Sequence, residues 1–574
     1  MSSNPPESRL PHRGGSSDVP PDASPHEPAG AAQQRRLAAL SPPMLRGLRR
    51  GIEKESLRTR RDGHLSQAPH PVALGSALTH PHITTDFSEA QLELITGVHV
   101  DADACLGELT ELHQFVYRHL DDEILWSASM PCGLPADDAI PLARYGRSNL
   151  GRAKTVYRQG LSHRYGRRMQ TISGIHYNFS LPDDAWQALQ HADGSRQDAR
   201  AYRDASYFSL IRNFRRHSWL LLYLFGASPA VCSSFLDGHP HALQPLGSGT
   251  LYLPYATSLR MGPLGYQSDA QASLAVSFNC FDSYAASLSK ALSEPYPAYE
   301  SIGIHDGNGL YRQLATTLLQ IENEFYGTIR PKRSIRPGER PLRALAERGV
   351  EYVEVRCLDI DPFFPVGIGT QTMRFLDAFL LHCLLADSPP DTPQEVAAIS
   401  HNQHLVAQYG RDPAMRLRDG ARERSLRDWG GELLAACAPI ADALDAAQGV
   451  EPDVAASNGR SSGVASRPVR LHREALDAAR AALEEPSRTP SARSLEELRT
   501  GYDDSFRAFA LAHSLANRDG LMARPLDADA QARQERSAEQ SLDEQRRIEA
   551  SETMPFEVYR RRYLAGELGT GDAR

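Results

Sequence analysis

Residues 349–359 read Gly-Val-Glu-Tyr-Val-Glu-Val-Arg-Cys-Leu-Asp. A period of two divides them into an apolar face, Val353, Val355 and Cys357, and an opposite face, Tyr352, Glu354 and Arg356. The run predicts a β-strand with one side in a core. Its other side carries charges that are costly to bury unless each has a partner. Four further segments repeat the division. Residues 52–58 put Glu53 and Glu55 on one face, about 7 Å apart. Residues 84–95 place Glu93 between Leu92 and Leu94, with Asp86 upstream. Residues 170–181 set Ile175, Tyr177, Phe179 and Leu181 against Gln170, His176, Asn178 and Ser180. Residues 318–326 read the same way, with Gln320, Glu322, Glu324 and Tyr326 opposite Leu319, Ile321 and Phe325. Helical spacing predicts helices over 104–120 and 374–385. The class is α+β. Taken singly, each acidic segment also fits a solvated strand face, and His176 fits a satisfied structural histidine.

Composition narrows the picture. With 574 residues, 41% hydrophobic and 23% charged, the chain can bury a large core, and its net charge of −8 favours neither nucleic acid nor an anionic membrane as partner. A monomer in a reducing cytoplasm is expected. The seven cysteines include no C-x-x-C pair and resemble neither a disulfide framework nor a zinc site. No signal peptide is read, and the longest apolar run, residues 219–227, is half a membrane span. The pattern divides the chain into a disordered tail at 1–43, a catalytic domain at 44–445, a linker or long loop at 446–470 and a helical region at 471–574.

Lysine occurs only at 54, 154, 290 and 332, and none follows a glycine, so there is no P-loop. A G-x-S-x-G match at 459–463 falls in the Ser/Gly-rich linker, without the strand and helix a nucleophile elbow needs.

If the acidic strands are neighbours, carboxylates crowd one side of one sheet. Two of them about 7 Å apart repel by about 2 kcal/mol at an effective dielectric of about 20. Bound cations remove that cost. Oxygen ligands with one imidazole and no thiolate fit magnesium or manganese better than zinc, and more than one ion is expected. Divalent ions beside Arg356 are the apparatus of phosphoryl transfer. Two segments that mix arginine with tyrosine, 145–168 and 255–266, suit a small zwitterion or a phosphate. The basic run 329–336 is unassigned.

The chain resembles the proteobacterial-type glutamate–cysteine ligases over residues 48–387. The resemblance is dense in Gly-Ile-Glu-Lys-Glu-Ser-Leu-Arg, Leu-Gly-Ser-Ala-Leu-Thr-His, Gln-Thr-Ile-Ser-Gly-Ile-His-Tyr-Asn-Phe-Ser-Leu-Pro and Phe-Gly-Ala-Ser-Pro-Ala-Val-Cys. It continues through Tyr-Ala-Thr-Ser-Leu-Arg, Gln-Ile-Glu-Asn-Glu and Val-Glu-Val-Arg-Cys-Leu-Asp-Ile, and returns in Glu-Thr-Met-Pro-Phe-Glu-Val-Tyr near the end. It implies a glutamine-synthetase-like curved antiparallel sheet of about six strands, and ATP-dependent joining of glutamate to cysteine through γ-glutamyl phosphate.

Carried over by motif, Glu53, Glu55, Asp86, Glu93, His176 and Glu354 resemble the metal ligands. Arg356 resembles the group that stabilises the transferring phosphoryl, with Arg260 assisting. Tyr157, Leu161, Gln170, Asn178, Tyr266 and Tyr326 resemble the cysteine pocket. The N-terminal tail and residues 411–470 depart from the family pattern and supply no site residue. A sibling ligase using another amine, and a non-catalytic metal-binding scaffold, are the competing readings.

Overall fold

The computed structural model describes residues 30–236, 240–265, 269–272, 274–336, 338–449 and 469–568. The strands, in chain order, are β1 (Arg49–Arg60), β2 (Ile83–Thr85), β3 (Gln91–Ile95), β4 (Glu123–Leu125), β5 (Ile175–Ser180), β6 (Ala230–Cys232), β7 (Gln244–Leu246), β8 (Thr250–Tyr252), β9 (Ile329–Lys332), β10 (Tyr352–Leu358), β11 (Arg416–Asp419) and β12 (Arg422–Ser425). The principal sheet is antiparallel in the order β2-β3-β1-β5-β10-β9, with β4 on the distal part of β1.

Alternation within the central strands decides which side packs. Leu92, Leu94, Ile175, Tyr177, Val353 and Val355 are wholly buried on one face. Against it lie the helices Ala102–Arg118, Ala199–His217 and Thr370–Leu385 in one continuous core. Asp101 caps the first of these, accepting from the Ala104 amide at 2.7 Å. Two charged groups on this face have partners: Arg50 meets Asp377 at 3.0 Å, and Lys54 donates to His113 Nε2 at 2.8 Å, because His113 Nδ1 already serves the Leu109 carbonyl.

The register fixes the other face. Glu53 lies opposite His176, Glu55 opposite Glu93, and Glu354 between Asn178 and Arg330. The β5–β10 register shifts between Val355 and Leu358. This irregularity leaves Cys357 and Leu358 both buried, with the side chain of the preceding Arg356 partly exposed toward the site.

Four expectations are corrected. Residues 318–326 form no strand; a 3-10 turn runs over Glu322–Glu324. Glu322 pairs with Arg340 at 2.7 Å, and Glu324 with Arg164 at 2.9 Å in a fully buried pair. These long-range partners, absent from any local pattern, turn the chain. Second, Ala31–Ala39 is a helix inside the stretch expected to be tail, held by Gln33 donating to the Ala436 carbonyl at 2.8 Å. Third, Cys132 and Cys232 form a disulfide across 100 residues, so cysteine spacing alone misjudged their pairing. Fourth, Gln170 ends the short helix Arg167–Gln170 instead of starting the β5 strand.

The C-terminal region joins the main core: Leu476 and Leu483 of the helix Leu471–Glu484 are buried in it. The bulk of the expected linker, with its G-x-S-x-G match, lies outside the described residues. No described helix is long and apolar enough to cross a membrane.

Candidate active site

Four strands that are distant in sequence bring their polar side chains to one place. Oxygen and nitrogen atoms of Glu53, Glu93 and His176 all lie within 4.8 Å of one another. His176 Nδ1 is 3.2 Å from Glu53 and 3.8 Å from Glu354, while Nε2 is 3.7 Å from Glu55. Asp86 follows β2 in a turn fixed by Tyr145, whose hydroxyl donates to the Asp86 carbonyl at 3.0 Å, and by Arg158 Nε on the same oxygen.

The charges of this cluster are unevenly balanced. Burial, reinforced by Asp86, pushes the Glu55 carboxyl up to about 8. Burial and the carboxylates of Glu53, Asp86 and Glu55 hold Glu93 well above the ordinary range. Glu354 goes the other way: Lys332 and Arg356 outweigh burial and keep it well below that range. Burial, with Arg356 beside it, lowers His176, so its imidazole is neutral and free to ligate. The Glu55–Glu93 end therefore crowds carboxyls that its protein cations do not offset, so without a further cation they hold protons. Asn178 Oδ1 is also buried without a partner. Oxygen donors, one neutral imidazole and crowded carboxyls that a cation would let ionise fit hard divalent ions.

Arg356 caps the cluster, with Nη1 3.0 Å from Glu354 and 3.4 Å from His176 Nδ1. Arg260 is buried behind it and donates to the Arg356 carbonyl at 2.9 Å. Arg260 sits on the segment leading out of β8, which is tied to the sheet by Ser258 Oγ on Asp359 at 2.9 Å. It lies close over Gly174, where a Cβ would fall 2.1 Å from Arg260 Nη2. A side chain there would have to displace the Arg260 guanidinium.

A cavity of about 1180 Å³ opens from the cluster. Helix Asn149–Tyr165 lines it with Leu150, Ala153, Lys154, Tyr157, Arg158 and Leu161, a stripe at three- and four-residue spacing. Tyr157, Leu161, Gln170 and Tyr326 meet in one part of the cavity, with Gln170 donating to the Tyr326 hydroxyl at 2.8 Å. Asn178 is elsewhere: two residues beyond His176 on β5, it donates to Glu53 at 3.0 Å. Tyr266 lies outside the described residues. Arg260, with Arg356 and Tyr326, borders a neighbouring cavity of about 580 Å³.

Several lining residues escaped the sequence patterns. Lys332 on β9 pairs with Glu354 at 2.9 Å, and Arg330 on the same strand donates to the Asn323 carbonyl at 2.9 Å. Lys154 lies 4.6 Å from the Tyr145 ring centroid, and burial lowers its ammonium to about 8. Glu544, Arg547, Ile548 and Ser551 of the helix Ala528–Ser551 close the mouth. The scarcity of lysine was the one available signal: two of the four lysines in the chain face this cavity.

A family model described as glutamate-cysteine ligase matches residues 36–406, more than half of the chain. A glutamate–cysteine ligase of Azotobacter vinelandii is 49% identical over 544 residues, spanning 94% of this chain and 99% of that protein. One from Pseudomonas putida is 48% identical over 536 residues, with 93% and 98% covered. Among solved structures, the glutamate–cysteine ligase of Francisella tularensis in complex with AMP superposes with a TM-score of 0.82 at 35% identity, covering 91% of this chain and 99% of that one.

Proposed function

The chain belongs to the glutamate–cysteine ligase family, and from that membership we propose which of its residues carry out the reaction. The activity is the ATP-dependent joining of the γ-carboxylate of L-glutamate to the amine of L-cysteine, giving γ-glutamylcysteine, ADP and phosphate. A carboxylate oxygen of glutamate attacks the γ-phosphorus of ATP and ADP leaves. The cysteine nitrogen then attacks the resulting acyl phosphate, its proton is lost, and phosphate departs as the amide forms.

Glu53, Glu55, Asp86, Glu93, His176 and Glu354 are the group that would hold magnesium or manganese, more than one ion. Such ions supply charge neutralisation at the phosphates and hold donor and acceptor in line. Arg356 directs its guanidinium at the transferring phosphoryl, and Arg260 fixes the strand that carries it. Tyr157, Leu161, Gln170 and Tyr326 form an apolar-walled pocket with hydroxyl and amide groups, which suits a small thiol amino acid; Tyr266 belongs to the same proposal. Asn178 orients Glu53. The convergence of Glu53, Glu93 and His176 within 4.8 Å is the observation that carries this reading. The same proposal takes the protein to be a monomer in the cytoplasm.

The test is an assay of ADP release by the purified protein with ATP, magnesium, glutamate and a panel of amines. Release that depends on cysteine is expected. Release equal without cysteine, or greater with a larger amine, would overturn the substrate assignment.

A further inference from the structure

Lys332 ends β9, the edge strand of the sheet, and its side chain is 29% exposed. Its Nζ lies 2.9 Å from Glu354 Oε1, and that same oxygen is 3.8 Å from His176 Nδ1. His176 in turn sits 3.2 Å from Glu53. The ammonium thus bonds the oxygen of Glu354 that faces His176, while Glu354 Oε2 is taken by Arg356 at 3.0 Å. Beyond Lys332 the cavity continues past Ile335, Arg336 and Glu339. A cation held by Glu53, His176 and Glu354 would compete with the Lys332 ammonium for that oxygen.

We propose that Lys332 is an internal stand-in for a divalent ion: it holds Glu354 until the ion arrives, and then serves as a ligand for the phosphates of the nucleotide. The proposal rests on the reading above that Glu53, His176 and Glu354 ligate an ion. Three features make the exchange feasible. Lysine carries a compact point charge on a flexible stem, so it can leave one oxygen for another acceptor without moving the strand. An arginine would bind Glu354 through a planar fork and be harder to displace. Elsewhere in this chain cations are almost always arginine, with lysine at only three other positions. Lys332 also borders both the carboxylate cluster and the open cavity.

The consequence is a coupling. The ion at Glu354 must displace Lys332, which weakens its binding when no other acceptor is present. Nucleotide phosphates provide that acceptor, so nucleotide and ion each favour the other's binding.

The experiment is a manganese titration followed by electron paramagnetic resonance. It uses the intact protein, with and without a non-hydrolysable ATP analogue whose own manganese affinity is subtracted. Without nucleotide, Lys332→Met should bind manganese about tenfold or more tightly than the native protein, because a competing charge a few ångströms away is gone. The analogue, which should tighten manganese binding to the native protein, should do so much less in the variant. Lys332→Gln serves as a second neutral replacement if the first fails to fold. Manganese affinity unchanged or weakened in the neutral variants would overturn the proposal. Glu354→Gln separates the two levels: if it binds manganese like the native protein, the ion-site reading itself fails; if it loses an ion while Lys332→Met changes nothing, only the role of Lys332 falls.

Discussion

The functional load on single residues follows from how few alternatives each has. Glu354 is wholly buried between Lys332 and Arg356, and it faces His176. Glu354→Gln keeps the shape and removes the charge, while Arg356→Ala removes the donor proposed above to meet the transferring phosphoryl. Either should lower kcat by about 10²–10³-fold or more with the fold retained, as loss of a transition-state charge partner does; near-native turnover in either would contradict the assignment. Gly174 is constrained by its neighbour. A methyl there would lie 2.1 Å from Arg260 Nη2, so Gly174→Ala should push Arg260 off the Arg356 carbonyl. A displacement of about 1 Å at a positioning group costs roughly 100-fold in rate. Steady-state kinetics beside a thermal melt check this: a loss of rate with little change in Tm is expected.

At the scale of elements, alternation was legible in β1, β3, β5 and β10 because strand geometry sends successive side chains to opposite faces whatever the partner strand. Residues 318–326 show where that logic ends. Their acidic residues alternate as a strand's would, yet Glu324 answers to Arg164, 160 positions away, and Glu322 to Arg340. Helices carry a pH effect of their own. His217, at the end of Ala199–His217, stacks on His382 of Thr370–Leu385 at 6.2 Å. Burial, with His382 beside it, lowers His217 from 6.5 to about 3, and burial lowers His382 to about 4. Both are neutral in the fold and charge more readily when unfolded. Their contribution is intact above pH 6.5 and is lost as pH falls toward 4, at up to about 1.4 kcal/mol per pH unit per group. Thermal unfolding between pH 7 and 4 should therefore fall more steeply in the native protein than in His217→Phe.

At the scale of the whole molecule, the helix Leu471–Glu484 lies in the same core as the sheet, and Leu483 packs over Gly430. The C-terminal region should unfold together with the catalytic part. Leu483→Ala should destabilise that common unit by about 2–5 kcal/mol and keep a single transition in calorimetry. A separate low-temperature transition would mean that the region stands alone. The sequence by itself determined the α+β class, the strands that carry Glu53, Glu93, His176 and Glu354, and the chemistry those residue types permit, because periodicity and ligand preference are local properties. Only the tertiary structure decided which charges meet. It placed Lys332 on Glu354, set Asn178 beside Glu53, withdrew Glu322 and Glu324 into ion pairs, and brought the helix Ala528–Ser551 to the cavity mouth. Those outcomes depend on strand order and long-range pairing, and electrostatic energy depends on distance in space, which the order of residues along a chain does not specify.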